Sequence, residues 1–152
     1  MWGKALPRVD LSQANLTHAD LRRTSLQRSQ LQGARLNHAD LRKANLDRAD
    51  LSGAELVGVD LQGASLVDAR LSGVLTRPHI PLELREVQQS HPVAELSGAD
   101  LQGADLSGAL LRGADLTKAT LTWANLRGAD LRDADLSGAD LWWSDLRDRC
   151  TG

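Results

Sequence analysis

At 152 residues the chain has the length of one domain, and its net charge of −2, from 18 basic and 20 acidic residues, gives no bulk attraction to nucleic acid or to an anionic membrane. Hydrophobic residues make up 41% of it, yet Phe and Tyr are absent and four tryptophans supply all the aromatics. A core built almost wholly from Leu and Ala argues for repetition rather than for a jigsaw of shapes.

The opening stretch, MWGKALPRVDL, lacks the apolar core of a secretory leader, and no run approaches membrane-spanning length. A single cysteine, Cys150, excludes an internal disulfide and fits a reducing compartment. The chain reads as soluble and cytoplasmic.

From residue 9 one pattern takes over. Leucine falls at every fifth position from Leu11 to Leu71 and again from Leu96 to Leu146, twenty-four pentads without a miss. Two residues before each leucine stands Ala in most pentads, otherwise Val, Ser or Thr, and the residue just before it is usually Asp or Asn. Five is the period of neither an α-helix nor a strand. Ala and Leu one residue apart point to the same side of an extended segment, and the Asp or Asn between them points out. The two remaining positions, rich in Gly, Ser, Arg and Gln, turn the chain. Each pentad is therefore one edge plus one corner, and repetition coils it into a solenoid with leucines inside.

This A(D/N)LXX pattern, over residues 9–75 and 94–148, resembles the pentapeptide repeat family. The resemblance implies an all-β fold, a right-handed quadrilateral parallel β-helix with four pentads to a coil. Six coils at β-spacing make a rod roughly 29 Å long. The whole chain, 1–152, then forms one solenoid domain.

Residues 76–95, TRPHIPLELREVQQSHPVAE, break the pattern. Pro81 is placed to open a short helix that ends before Pro92, and the segment is expected to leave the coil and pack on its wall. Leu71 and Leu96 lie 25 residues apart, one face plus one full coil, so a period of twenty is expected to hold across the gap.

With that period one outward column reads Asp20, Asp40, Asp60, Asp100, Thr120, Asp140. Two readings of this acidic column stand. Asp or Asn here can bond nearby backbone donors at the corner, which makes the column architectural. The resemblance implies the other, because some family members are thought to mimic DNA and occupy a type II topoisomerase such as DNA gyrase. Duplex DNA carries one charge per about 1.7 Å, so a rod of this length would show roughly seventeen uncompensated negatives. Arg22, Arg23, Arg42 and Lys43 flank the aspartates. Residues 1–75 carry ten basic and eight acidic residues and residues 76–152 eight and twelve, which leaves the C-terminal half as the DNA-like one.

Arg22, Arg23, Arg28, Arg42, Lys43 and Arg48 form a candidate basic patch on two adjoining faces of the N-terminal coils. It reads as a solvated face pairing with the aspartates, or as a site for an acidic protein, with no direct nucleic-acid contact expected. His18 and His38 fall one coil apart at equivalent corners, and two ligands do not make a metal site. His79 and His91 lack ligand spacing, and neither metal nor cofactor is expected. Trp123, Trp142 and Trp143 gather three large aromatics on a small outer area and are the candidate dimer contact, pairing C-terminal coils of two copies.

No nucleophile and base are brought together, and no phosphate loop, zinc signature or nucleotide fingerprint occurs. A leucine-filled rod with flat faces also leaves no room for a pocket. The sequence predicts a non-catalytic interaction scaffold for a protein partner it does not name, with a DNA mimic acting on gyrase as the alternative.

Overall fold

The computed structural model describes residues 3–76 and 93–148. Along them every pentad repeats one local event. The chain runs extended through the Ala-Asp-Leu positions, then turns over the next two, as in Leu31–Ala34, where the Ala34 amide donates to the Leu31 carbonyl at 3.0 Å. The second corner residue has φ between 54° and 71° throughout, the third position of a type II turn. Successive coils are joined by parallel bridges between residues twenty apart, or thirty-five apart across the interruption, as in Asp60 with Glu95. The Leu31 amide donates to the Asp50 carbonyl at 2.7 Å, and the Asp50 amide donates back to the Ser29 carbonyl at 3.0 Å.

Four flat faces result, named here by the residues that precede their leucines. Face I carries Asp20, Asp40, Asp60, Glu95, Asp115 and Asp135. Face II carries Ala5, Ser25, Asn45, Ser65, Asp100, Thr120 and Asp140; face III carries Asp10, Gln30, Asp50, Arg70, Asp105, Asn125 and Asp145. Face IV carries Asn15, Arg35, Glu55, Leu75, Leu110 and Asp130.

The inward leucines from Leu21 to Leu126 are at most 1% exposed. Each contributes about 1.5–3 kcal/mol of burial, so the interior columns dominate the stability of the rod. At face IV Thr76 takes the leucine position, its hydroxyl donating to the Leu110 carbonyl. At the first and last described coils Leu6, Leu11, Leu16, Leu136, Leu141 and Leu146 are only partly buried.

The expected period fails at the interruption. Leu75 bridges Glu55, twenty residues before it, but the next bridging residue, Glu95, sits on Asp60. The Leu61 amide donates to the Glu95 carbonyl at 2.7 Å, and the Glu95 amide to the Val59 carbonyl at 2.9 Å. The twenty residues after Leu75 thus advance the chain by a single face, not by a whole coil. Every column beyond the interruption lies one face away from where a constant period puts it. The expected helix, the docking of residues 76–95, His79, His91 and Cys150 fall wholly or largely outside the described residues.

One face needs five residues, so the segment holds fifteen that the coil does not require. Replacing residues 77–93 by a Ser-Gly corner removes those fifteen and joins Thr76 to Ala94 in register. The shortened chain is expected to unfold in one cooperative transition, at or above the native midpoint, because fewer residues then separate the two ends that the coil brings together. Circular-dichroism melting checks this, and a broadened or two-step transition would show that the segment is needed by the core.

Candidate interaction surface

All five aspartates of the expected column have the same local role. The backbone amides of Arg22, Arg42, Gln62, Gln102 and Trp142 donate to the side chains of Asp20, Asp40, Asp60, Asp100 and Asp140 respectively, at 3.1–3.3 Å. Each carboxylate closes the corner that follows it, as Asx turns do.

The five do not form one column. Asp100 and Asp140 stand on face II, over Ser65 and Thr120. Asp20, Asp40 and Asp60 continue instead into Glu95, Asp115 and Asp135. The correction follows from the one-face advance at the interruption, and it makes the face I column acidic from end to end.

The two halves of that column differ. Arg22 bonds Asp20 at 2.7 Å and reaches Asp40 at 3.5 Å, and Arg42 pairs with Asp40 and reaches Asp60 at 3.3 Å. Two guanidiniums thus zip three carboxylates, and the Arg22 bond holds the Asp20 carboxyl down at about 2. Beyond Asp60 the ion pairs along the column stop, since Arg112 turns to Asp133 and Arg132 to Asp130. Glu95 accepts from Gln62 Nε2 at 2.6 Å, and Asp115 and Asp135 accept from the amides of Thr117 and Ser137 at 2.9 Å. Hydrogen bonds from Ser137 lower the Asp135 carboxyl below its ordinary range. No cation pairs with Glu95, Asp115 or Asp135 among the described residues.

The basic patch divides between two corners. Arg22, Arg23, Arg42 and Lys43 line a shallow depression of about 310 Å³ at the corner between faces I and II. Arg28 and Arg48 lie across face II with Arg8, which the sequence reading left out, in an open groove of about 510 Å³. Arg48 pairs with Asp68 at 3.3 Å, while Arg8, Arg23, Arg28 and Lys43 have no ion pair among the described residues.

The three candidate tryptophans lie together at the C-terminal coils. Trp123 and Trp143 stack with ring centroids 5.6 Å apart and planes 14° from parallel. They stand at the corner between faces II and III, in the column Arg8, Arg28, Arg48, Asp68, Gly103, Trp123, Trp143. Trp142 lies beside them and, with Ala139, Asp140 and Leu141, lines a hollow at the last described coil. All three are well exposed, at 62%, 71% and 70% for Trp123, Trp142 and Trp143. His18 and His38 stack at 5.1 Å, and among the described residues no group of three acidic, His or Cys side chains is placed to hold a metal ion. No helix of the described residues is long and apolar enough to cross a membrane.

Residues 6–42, 34–73, 94–133 and 114–148 match the family model described as Pentapeptide repeats (8 copies). The chain belongs to this family. Among solved pentapeptide repeat structures it is similar to a form of QnrB1, a plasmid-mediated fluoroquinolone resistance protein, at 17% identity over 99% of this chain and 85% of that one, with a TM-score of 0.57. That likeness shows the fold. A pentapeptide repeat protein from Nostoc PCC 7120 is 33% identical over 74% of this chain and 70% of its own, with a TM-score of 0.44. HetL from the same cyanobacterium, involved in heterocyst differentiation regulation, is 27% identical over 97% and 89%, with a TM-score of 0.41. No curated protein matches the sequence.

What the sequence reading missed in this pentapeptide repeat rod is the place of Glu95, Asp115 and Asp135 and the shared corner of Arg8 and Trp143. A signal for it was present. Two outward leucines, Leu75 and Leu110, occupy the acidic position, and only the one-face advance stacks one on the other.

The arginine zipper sets a pH dependence. A carboxyl lowered by folding contributes stability that is present above its unfolded value near 3.8 and is lost as pH falls through its folded value, about 2 for Asp20. Carbon-detected NMR titration is expected to place the Asp20 midpoint near that value. In Arg22→Gln the midpoint is expected to return toward 3.8, with a smaller loss of stability between those two pH values.

Proposed function

We propose that the chain is a non-catalytic interaction scaffold, a stiff rod that presents fixed columns of side chains to a protein partner. One observation carries this reading: the inward leucines close the interior from Leu21 to Leu131, so all variation in the sequence is displayed on flat outer faces. Catalysis needs a water-excluding pocket, and the depressions found on these faces are shallow and open. A rigid surface also loses little backbone entropy on binding, which favours recognition.

The unbroken acidic column of face I supports a second reading, a DNA mimic acting on a type II topoisomerase such as gyrase. In its N-terminal half Arg22 and Arg42 offset two of three charges, which leaves Glu95, Asp115 and Asp135 as the DNA-like stretch. A gyrase supercoiling assay, with and without a fluoroquinolone, separates the readings. A scaffold is expected to leave the assay unchanged at tens of micromolar. Inhibition or drug protection that disappears in the Glu95→Gln/Asp115→Asn/Asp135→Asn variant would establish mimicry instead.

The last described coil supports pairing of two copies there. Leu136, Leu141 and Leu146 are partly buried, and Trp142 stands at the rim of that coil. At tens of micromolar, sedimentation equilibrium is expected to give twice the chain mass of 16.4 kDa, and Trp142→Ser is expected to give the monomer. A monomeric native chain would end the pairing idea and leave the scaffold reading in place.

A further inference from the structure

The four corners of the rod are unequal in what they tolerate. The second corner residue sits in the left-handed region, where glycine is unstrained and any other residue is disfavoured. Between faces III and IV glycine takes this place five times in seven, at Gly33, Gly53, Gly73, Gly108 and Gly128. Between faces II and III it appears once. At that exception, Gly103, a Cβ would meet only the movable tip of the Asp68 side chain, at 2.7 Å. Elsewhere along this corner Arg8, Arg28, Arg48, Asp68, Trp123 and Trp143 all hold positive φ. Strain repeated along one edge, where the neighbouring edge avoids it, marks side chains kept for display.

We infer that this edge, together with face II beside it, is a docking strip for an extended segment of a partner protein, acidic at one end and apolar or basic at the other. The inference rests on the scaffold reading and names the partner's chemistry. At the N-terminal end Arg8 and Arg28 have no ion pair among the described residues, and neither have Arg23 and Lys43 across the face. Between the two rows face II offers the small neutral residues Ala5, Ser25, Asn45 and Ser65, and the carboxylate beside them, Asp47, is taken up by the Ser65 hydroxyl and the Gln27 amide. Carboxylates of a bound segment would lie between two lines of cations.

At the far end the chemistry reverses. The stacked pair of Trp123 and Trp143 provides an aromatic surface, and face II beside it carries Asp100 and Asp140. Apolar or proline side chains fit the rings, and a lysine or arginine can lie over a ring and meet a carboxylate. A nucleic-acid strand has a phosphate at every unit, and Asp100 and Asp140 would repel it at this end. A polypeptide can change sign along its length. From Arg8 to Trp143 there are six coil steps, about 29 Å, which an extended segment of roughly nine residues spans.

The test is a displayed library of random ten-residue peptides, selected on the full native chain alone and then measured on the Arg8→Gly/Arg28→Gly/Trp123→Gly/Trp143→Gly variant. Enriched peptides are expected to carry acidic residues in one half and apolar or basic residues in the other. They are expected to bind the variant about tenfold more weakly or worse, a difference of about 1.4 kcal/mol. The variant is expected to melt at or above the native midpoint, since glycine relieves four strained corners.

Peptides that bind variant and native chain equally would overturn the strip but leave the scaffold reading standing. No enrichment at all would count against both. A ten-residue oligothymidylate that binds the native chain and fails on the variant would assign the edge to single-stranded nucleic acid. A variant that melts several degrees lower would make these residues architecture.

Discussion

Each outward column of this rod exists because an inward leucine recurs at the fifth residue while its amide donates to the coil above. The two requirements reinforce each other. Burial fixes which residue points inward, and the bridge to the residue twenty places on fixes how far the chain must travel before it repeats. A slip of one residue would turn leucines out and aspartates in, so the register is strongly specified at every step. What remains free is the chemistry of three outward positions per pentad.

Those positions are not free in the same degree. Where the residue before a leucine is Asp or Asn it accepts the amide two residues on, so it serves the corner whether or not it serves a partner. One carboxylate oxygen is taken and the other stays available. Along the first half of face I that second oxygen goes to Arg22 and Arg42. Along the second half no cation among the described residues pairs with the carboxylates, which is why one continuous column has two electrostatic characters. The strained corner position works in the opposite sense, since a large side chain there has a conformational cost and contributes little to the fold in return.

Much of this was legible in the sequence. The unbroken leucine register gave away the solenoid, the inward Ala and Leu columns, and the stacking of Trp123 on Trp143 and of His18 on His38. The pairing of columns across the interruption was not, because residues 76–95 carry no leucine beat from which to count faces. Periodicity alone allowed the segment to be a full coil or an excursion, and each choice assigns the later aspartates to different faces. The stacking of Leu75 on Leu110 held the answer, in two residues that looked like exceptions to the consensus. Arg8 was overlooked for a related reason: its importance lies in company that it keeps only after the columns are correctly joined.

The bearing of the C-terminal patches on the N-terminal ones is therefore set at a single junction, by the face that Glu95 joins. Joined one face further on, every leucine would still lie inside and every corner stay intact, yet the C-terminal coils would turn by a quarter revolution against the N-terminal ones. The acidic stretch of Glu95, Asp115 and Asp135 would then pass to another face, and Trp123 and Trp143 would leave the arginines. In a fold whose four walls are interchangeable, the relative bearing of two surface patches is stored in one re-entry point, whatever the length of chain before it. It can be changed without replacing any residue in either patch.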